Sequence, residues 1–124
     1  MNRRSPRKVT EAQLLPRLPR ICLRLPGTTE TTSWGHPTFK AGGKTFCVLE
    51  RLKGHLTMCF MLPGPDAAAT LKLPRFLETP YVGKKGGVSL IVDTAPDWRE
   101  VEELALRSYC EVAPDRLRAL VYSG

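Results

Sequence analysis

Residues 38–49, with the sequence TFKAGGKTFCVL, carry the clearest structural signal in the chain. Two runs rich in β-branched and aromatic residues flank Gly42-Gly43. A two-glycine loop suits a primed hairpin turn, because both central positions need positive φ. We therefore predict a β-hairpin with Phe39 on one strand and Phe46 on the other.

Further strands are predicted on the C-terminal side of this hairpin. A second reversal at Lys53-Gly54 leads into the β-prone run 56–62, which completes a three-stranded antiparallel meander. After a loop over residues 76–87, residues 88–92 predict one more strand, whereas the Thr-rich residues 28–37 are predicted as a loop that leads into the hairpin.

Helical periodicity is present at both ends of the chain. Apolar residues recur at helical spacing over residues 14–25, but Pro16 and Pro19 lie within this run. A proline inside a helix costs about 3 kcal/mol, so the first helix is expected to start or to kink at one of them. A short helix is predicted over residues 66–71.

The last long helix is predicted to start at Asp97 as N-cap, with Glu100 as its capping-box partner. A final short helix follows Pro114. The fold class is therefore predicted as α+β, a two-layer sandwich in which an N-terminal and a C-terminal helix pack on one face of an antiparallel sheet.

The length of 124 residues fits a single domain, predicted over residues 9–124 and preceded by a disordered basic tail, residues 1–8. No apolar run approaches a membrane span, and no apolar signal region follows the basic start. A cytoplasmic protein with no membrane contact is expected. The four cysteines have no metal-site spacing and are predicted to be reduced thiols.

The net charge of +7 is unevenly distributed. Residues 1–24 hold seven Lys/Arg against one acid, a net charge of +6, whereas residues 91–124 hold four against seven, a net charge of −3. Between them, residues 31–90 hold eight bases and three acids, a net charge of +5. Such a field attracts polyanions, although it also aids solubility.

Two local motifs carry candidate functional residues. Trp34, His36 and Phe39 lie close together near a turn, which suits a recognition or stacking surface, a histidine base, or ordinary packing. Residues 80–87 place Tyr81 beside glycines and two lysines. This loop lacks the P-loop and dinucleotide-binding patterns, so it is either a basic loop for a backbone phosphate or an exposed turn.

No catalytic constellation and no metal-ligand spacing is present in the sequence. We therefore expect a binding protein and not an enzyme, with no metal and no cofactor. The two histidines, His36 and His55, are far apart and have no matched acidic or thiol partners in the sequence.

The ordered set of motifs resembles the MmcQ/YjbR family of small bacterial proteins over about residues 20–118. The resemblance is carried by ICLRLPG at residues 21–27, TTSWGHPTF at 31–39, AGGKTF at 41–46, PYVGK at 80–84 and the segments around Trp98 and Tyr109. It implies a CyaY-like (frataxin-like) fold and a proposed role in DNA binding through basic hairpin loops that act as wings. No catalytic residues come with it.

The chain departs from that family in two places. The family usually carries an aromatic residue where this chain has Gly87, and its first helix usually has no prolines such as Pro16 and Pro19. Iron binding, which a frataxin-like fold suggests, is not expected here because the first helix is basic and carries no acidic ridge.

The sequence therefore predicts DNA binding of low sequence specificity, in which Lys/Arg contact phosphates. The predicted contacts come from the first helix, the hairpin loops and the loop at residues 80–87: Arg17, Arg20, Arg24, Lys40, Lys44, Arg51, Lys53, Lys84 and Lys85. The alternative is a small-ligand or protein-binding module with a pocket between sheet and loop. The residues predicted to line that pocket or surface are Trp34, His36, Phe39 and Tyr81.

Overall fold

The computed structural model describes residues 9–33, 35–80 and 82–123, apart from the side chains of Lys84, Tyr122 and Ser123. The strands are β1 (Thr28–Ser33), β2 (His36–Ala41), β3 (Lys44–Leu52), β4 (His55–Met61), β5 (Phe76–Glu78) and β6 (Gly87–Ile91). The helices are α1 (Glu11–Leu14), α2 (Leu18–Cys22), α3 (Gly64–Thr70), α4 (Trp98–Val112) and α5 (Asp115–Ser123), and Gly83–Lys85 forms a turn of 3-10 helix. The tail predicted over residues 1–8 lies outside this description.

The strands form one antiparallel sheet in the order β1-β2-β3-β4-β6-β5. The predicted hairpin is confirmed, since Ala41 pairs with Lys44 and the two glycines between them have φ of 58° and 83°. The predicted α+β sandwich is confirmed as well: α4 packs against β3 and β4, and α2 packs against α4.

Two strands lie in segments that were predicted as loops. β1 has only exposed or half-buried residues, and its Thr-rich sequence shows no apolar alternation because it is the edge strand. β5 is three residues long, too short for a period to be visible, and it pairs with β6 at the other edge. Tertiary pairing therefore formed strands that the hydrophobic pattern did not indicate.

The first helical region is broken at its prolines. α1 ends at Leu14, a turn contains Pro16, and α2 begins at Leu18 with Pro19 in its first turn, where the missing N–H costs nothing. The predicted kink is therefore confirmed. α2 nevertheless buries Leu18, Ile21 and Cys22 against the rest of the core.

The start of α4 confirms one prediction and corrects another. The Asp97 carboxylate accepts a hydrogen bond from the Arg99 N–H at 3.0 Å, so Asp97 is the N-cap. Glu100 does not complete a capping box. Its carboxylate instead accepts hydrogen bonds from the Arg75 guanidinium, because tertiary folding brings β5 close to this helix.

A polar contact at the centre joins α4 to the sheet. Phe39 pairs with Cys47 and Lys40 with Thr45, so Phe46 is an extra residue that forms a β-bulge. The Ser108 hydroxyl on α4 donates to the Phe46 carbonyl at 2.6 Å and accepts from the Met61 N–H at 2.7 Å. This hydroxyl therefore satisfies two backbone groups that the sheet leaves unpaired.

Candidate functional site

The two ends of β3 divide six of the nine predicted basic residues into two groups. β3 has nine residues, so its ends lie about 25 Å apart. We call the end that carries the Gly42-Gly43 turn the Gly42 end, and the end that carries the Lys53-Gly54 turn the Gly54 end. The Gly42 end holds Lys40, Lys44, Lys84 and Lys85, and the Gly54 end holds Arg51 and Lys53.

At the Gly42 end, Lys44 and Lys85 are exposed and lie two strands apart, about 10 Å in the direction across the sheet. Arg116, at the start of α5, is also exposed there, because Pro114 lies against Gly42. Arg116 was missed in the sequence analysis because it belongs to a segment of net negative charge.

At the Gly54 end, the chain enters the described fold beside the turn. The Val9 N–H donates a hydrogen bond to the Asp93 carbonyl at 2.7 Å. The Asp93 carboxylate accepts one from the Leu56 N–H at 2.8 Å and lies 2.5 Å from Nδ1 of His55. Val9, which follows the four bases of residues 1–8 in the sequence, therefore lies next to the turn that carries Arg51 and Lys53.

The arginines of the first helical region have contacts of their own. The Arg17 guanidinium lies over the Trp98 ring at 4.9 Å from its centroid, and Arg24 lies 4.0 Å from the Glu102 carboxylate. Arg20 is exposed. The length of β3 separates the bases of its two turns into two groups.

The predicted aromatic surface is not assembled by the described residues. Phe39 is fully buried in the core, so its prediction as a surface or pocket residue is wrong: its side chain faces the helices because of its place in β2. His36 is half-buried at the start of β2, where its carbonyl accepts a hydrogen bond from the Thr38 hydroxyl at 3.0 Å. Trp34 and Tyr81 lie outside the described residues.

A cavity does lie next to Pro80 and Val82, between strands β3 and β4, the loop and the C-terminal end of α4. Its volume is about 370 Å³. Pairing places Val48, Glu50 and Cys59 on one face of the sheet, and Pro80 and Val82 of the loop lie across from them. The lining is mostly apolar: Thr45, Phe46, Val48, Glu50, Cys59, Met61, Thr79, Pro80, Val82 and Val112.

Buried hydroxyls and a thiol continue from this cavity under the loop. The Cys59 sulfur lies 3.4 Å from the Thr79 hydroxyl, which is 2.7 Å from the Ser89 hydroxyl. Burial raises the pKa of the Cys59 thiol, the hydrogen bond with Thr79 lowers it, and the charge of Glu50 raises it. Cys59 is therefore held as a neutral thiol, unlike a nucleophilic cysteine.

Cys22, Cys47 and Cys110 form no disulfide bond within the described part of the chain. Cys22 of α2 and Cys47 of β3 are buried next to each other. The pKa of Cys47 is raised well above its ordinary value, chiefly by a hydrogen bond with Cys22 and also by burial. Within the described ranges, no group of three or more His, Cys, Asp or Glu could hold a metal ion. No helix in the same ranges is long and apolar enough to cross a membrane.

A family model described as YjbR matches residues 23–111, which is more than half of the chain. This protein belongs to the YjbR family. The resemblance seen in the sequence is thereby confirmed. Its fold is also similar to the crystal structure of the Deinococcus radiodurans protein DR2400, a DUF419 domain, with a TM-score of 0.70 at 16% identity over 94% of this chain and 90% of that chain. No curated protein matches this chain.

The close approach of Thr79 and Val82 leaves no room for a side chain at position 87. A Cβ at Gly87 would lie 2.6 Å from a methyl carbon of Val82 and 3.0 Å from the Val82 carbonyl oxygen. A larger residue here would require Val82 and Thr79 to move. The absence of a side chain therefore allows these two residues to pack against β6.

Proposed function

We propose that this YjbR protein binds the phosphate backbone of DNA, with the main contacts at the Gly54 end. The observation that supports this is the hydrogen bond between Val9 and Asp93, which holds the residue that follows Lys8 beside the β3–β4 turn. The sequence before Val9 supplies four bases, Arg3, Arg4, Arg7 and Lys8, in addition to Arg51 and Lys53 of the turn.

The local ion pairing is consistent with this proposal. Among the described residues, Arg51 and Lys53 are exposed and have no acidic partner, so their charge is available to a polyanion. By contrast, Arg75, Arg107 and Arg118 pair with Glu100, Asp66 and Asp115. Asp93 at the same end already accepts hydrogen bonds from its neighbours.

Binding through phosphates predicts weak sequence preference and steep salt dependence. Each neutralised phosphate releases condensed counterions, with a log–log slope of roughly −0.9 per contact for duplex DNA. Phosphate contacts orient the protein but do not distinguish the bases.

The test compares the two ends with equal changes of charge. Fluorescence anisotropy with a labelled duplex at several salt concentrations would be measured for the wild type, for Arg51→Ala/Lys53→Ala and for Lys44→Ala/Lys85→Ala. We expect the Gly54-end variant to bind DNA about tenfold more weakly at low salt. The log–log slope of its affinity against salt concentration should become shallower by the amount that corresponds to roughly two phosphate contacts. The Gly42-end variant should change both quantities less.

Absence of binding at low salt would overturn DNA binding itself. Equal losses in both double variants would keep DNA binding but contradict its location at the Gly54 end. A changed preference between two duplexes of equal length in either variant would contradict a phosphate-only contact.

A further inference from the structure

We propose that the cavity beside Pro80 and Val82 binds a small apolar ligand that carries one positive charge, such as an alkyl or aryl amine. This site is separate from the DNA contacts. It lies nearer to the Gly42 end, between the sheet, the loop and the end of α4, and none of the lining residues that the structure describes is a Lys or Arg.

The volume and the walls suit a small apolar molecule. About 370 Å³ is at the lower end of the range of ligand pockets in proteins. Val48, Met61 and Val112 approach it from the sheet and from α4, while Pro80 and Val82 approach it from the loop. Burying a ligand's apolar surface against these side chains stabilises the complex by about 25 cal/mol per Å² removed from water.

Glu50 determines the sign of the ligand's charge. Its carboxylate is half-buried on the cavity face of β3 and, among the described residues, has neither an ion pair nor a hydrogen bond. The neighbouring Arg51 projects to the opposite face of the strand, since side chains alternate along β3. An unpaired carboxylate beside apolar walls is stabilised by an ammonium group and repels a second carboxylate.

Cys59 lies in the same cavity wall as Glu50, on the strand that pairs with β3. Burial, and to a smaller extent the charge of Glu50, raises the pKa of the Cys59 thiol, so this side chain adds no second negative charge to the cavity.

The experiment uses three probes of similar shape: phenethylamine, phenethyl alcohol and hydrocinnamate. Isothermal titration would be carried out with the wild type, with Glu50→Gln and with Glu30→Gln as a matched control on the exposed edge strand. We expect the amine to bind about tenfold more tightly than the alcohol, a difference typical of a hydrogen bond to a charged group. Hydrocinnamate should bind more weakly than either.

In Glu50→Gln the preference for the amine should disappear, and in Glu30→Gln it should persist. Val48→Phe, which fills the cavity, should weaken binding of the amine. The proposal is overturned if no probe binds, if hydrocinnamate binds best, or if Glu50→Gln keeps the preference for the amine. Arg51→Ala/Lys53→Ala should leave amine affinity unchanged, so this result is independent of DNA binding.

Discussion

At the scale of single residues, Ser108 shows how a polar side chain can hold the two layers together. It is fully buried on α4, and its hydroxyl donates to the Phe46 carbonyl and accepts from the Met61 N–H. Next to it, the Tyr109 ring packs edge-on against Phe46 at a centroid distance of 5.5 Å, and its hydroxyl donates to the Pro26 carbonyl. Adjacent residues of one helix thus contact the bulge and the segment after α2.

We predict that Ser108→Ala lowers the free energy of unfolding by about 2–3 kcal/mol, because two buried backbone groups lose their partner. Urea denaturation measures the change. Ser33→Ala on the edge strand removes the same oxygen from a half-buried site and should cost less than 1 kcal/mol. Equal losses in the two variants would contradict the role of the Ser108 hydrogen bonds.

At the scale of elements, the β2–β3 turn is fitted to the loop between α4 and α5. Gly42 and Gly43 both have positive φ, but their surroundings differ. A Cβ at Gly42 would lie 2.6 Å from a ring carbon of Pro114, whereas one at Gly43 would meet nothing within 4 Å. Gly42 therefore serves both the turn and the close approach of the helices, and Gly43 serves the turn alone.

The two alanine variants separate these effects. Gly43→Ala should lower the free energy of unfolding by about 1–2 kcal/mol, because a non-glycine residue is strained in the left-handed conformation. Gly42→Ala should lower the free energy of unfolding by about 1–3 kcal/mol more than Gly43→Ala does, because Pro114 and α5 must move. Chemical denaturation of both variants measures the difference, and a Gly42→Ala variant as stable as Gly43→Ala would show that α5 does not depend on this contact.

At the scale of the whole molecule, the basic tail should contribute to binding and not to folding. Residues 1–8 contain four bases and little apolar surface, so their removal lowers the net charge from +7 to +3. We expect the truncated protein to keep its free energy of unfolding within about 0.5 kcal/mol, as exposed polar changes usually do. DNA affinity should fall and its salt slope should become shallower.

Both quantities can be measured on the same preparation, by urea denaturation and by anisotropy. A truncated protein that loses more than about 1 kcal/mol of stability would place residues 1–8 in the folded domain. Unchanged DNA affinity would remove the tail from the proposed interface and leave only Arg51 and Lys53 there.

The sequence by itself determined the features that depend on neighbours in the chain. The hairpin at Gly42-Gly43, the N-cap at Asp97 and the break at Pro16 follow from local backbone preferences, so each was predicted. Ordered motifs likewise identified the family. The charges could be counted but not located, because β3 places Lys44 at one of its ends and Arg51 and Lys53 at the other.

Only the tertiary structure decided the features that depend on distant partners. β1 and β5 are strands because other strands pair with them, and Glu100 pairs with Arg75 because β5 approaches α4. The cavity beside Pro80 and Val82 is lined by residues of β3, β4 and α4 that no local motif brings together. Contacts between segments far apart in sequence leave no local period, so no spacing of residues could indicate them.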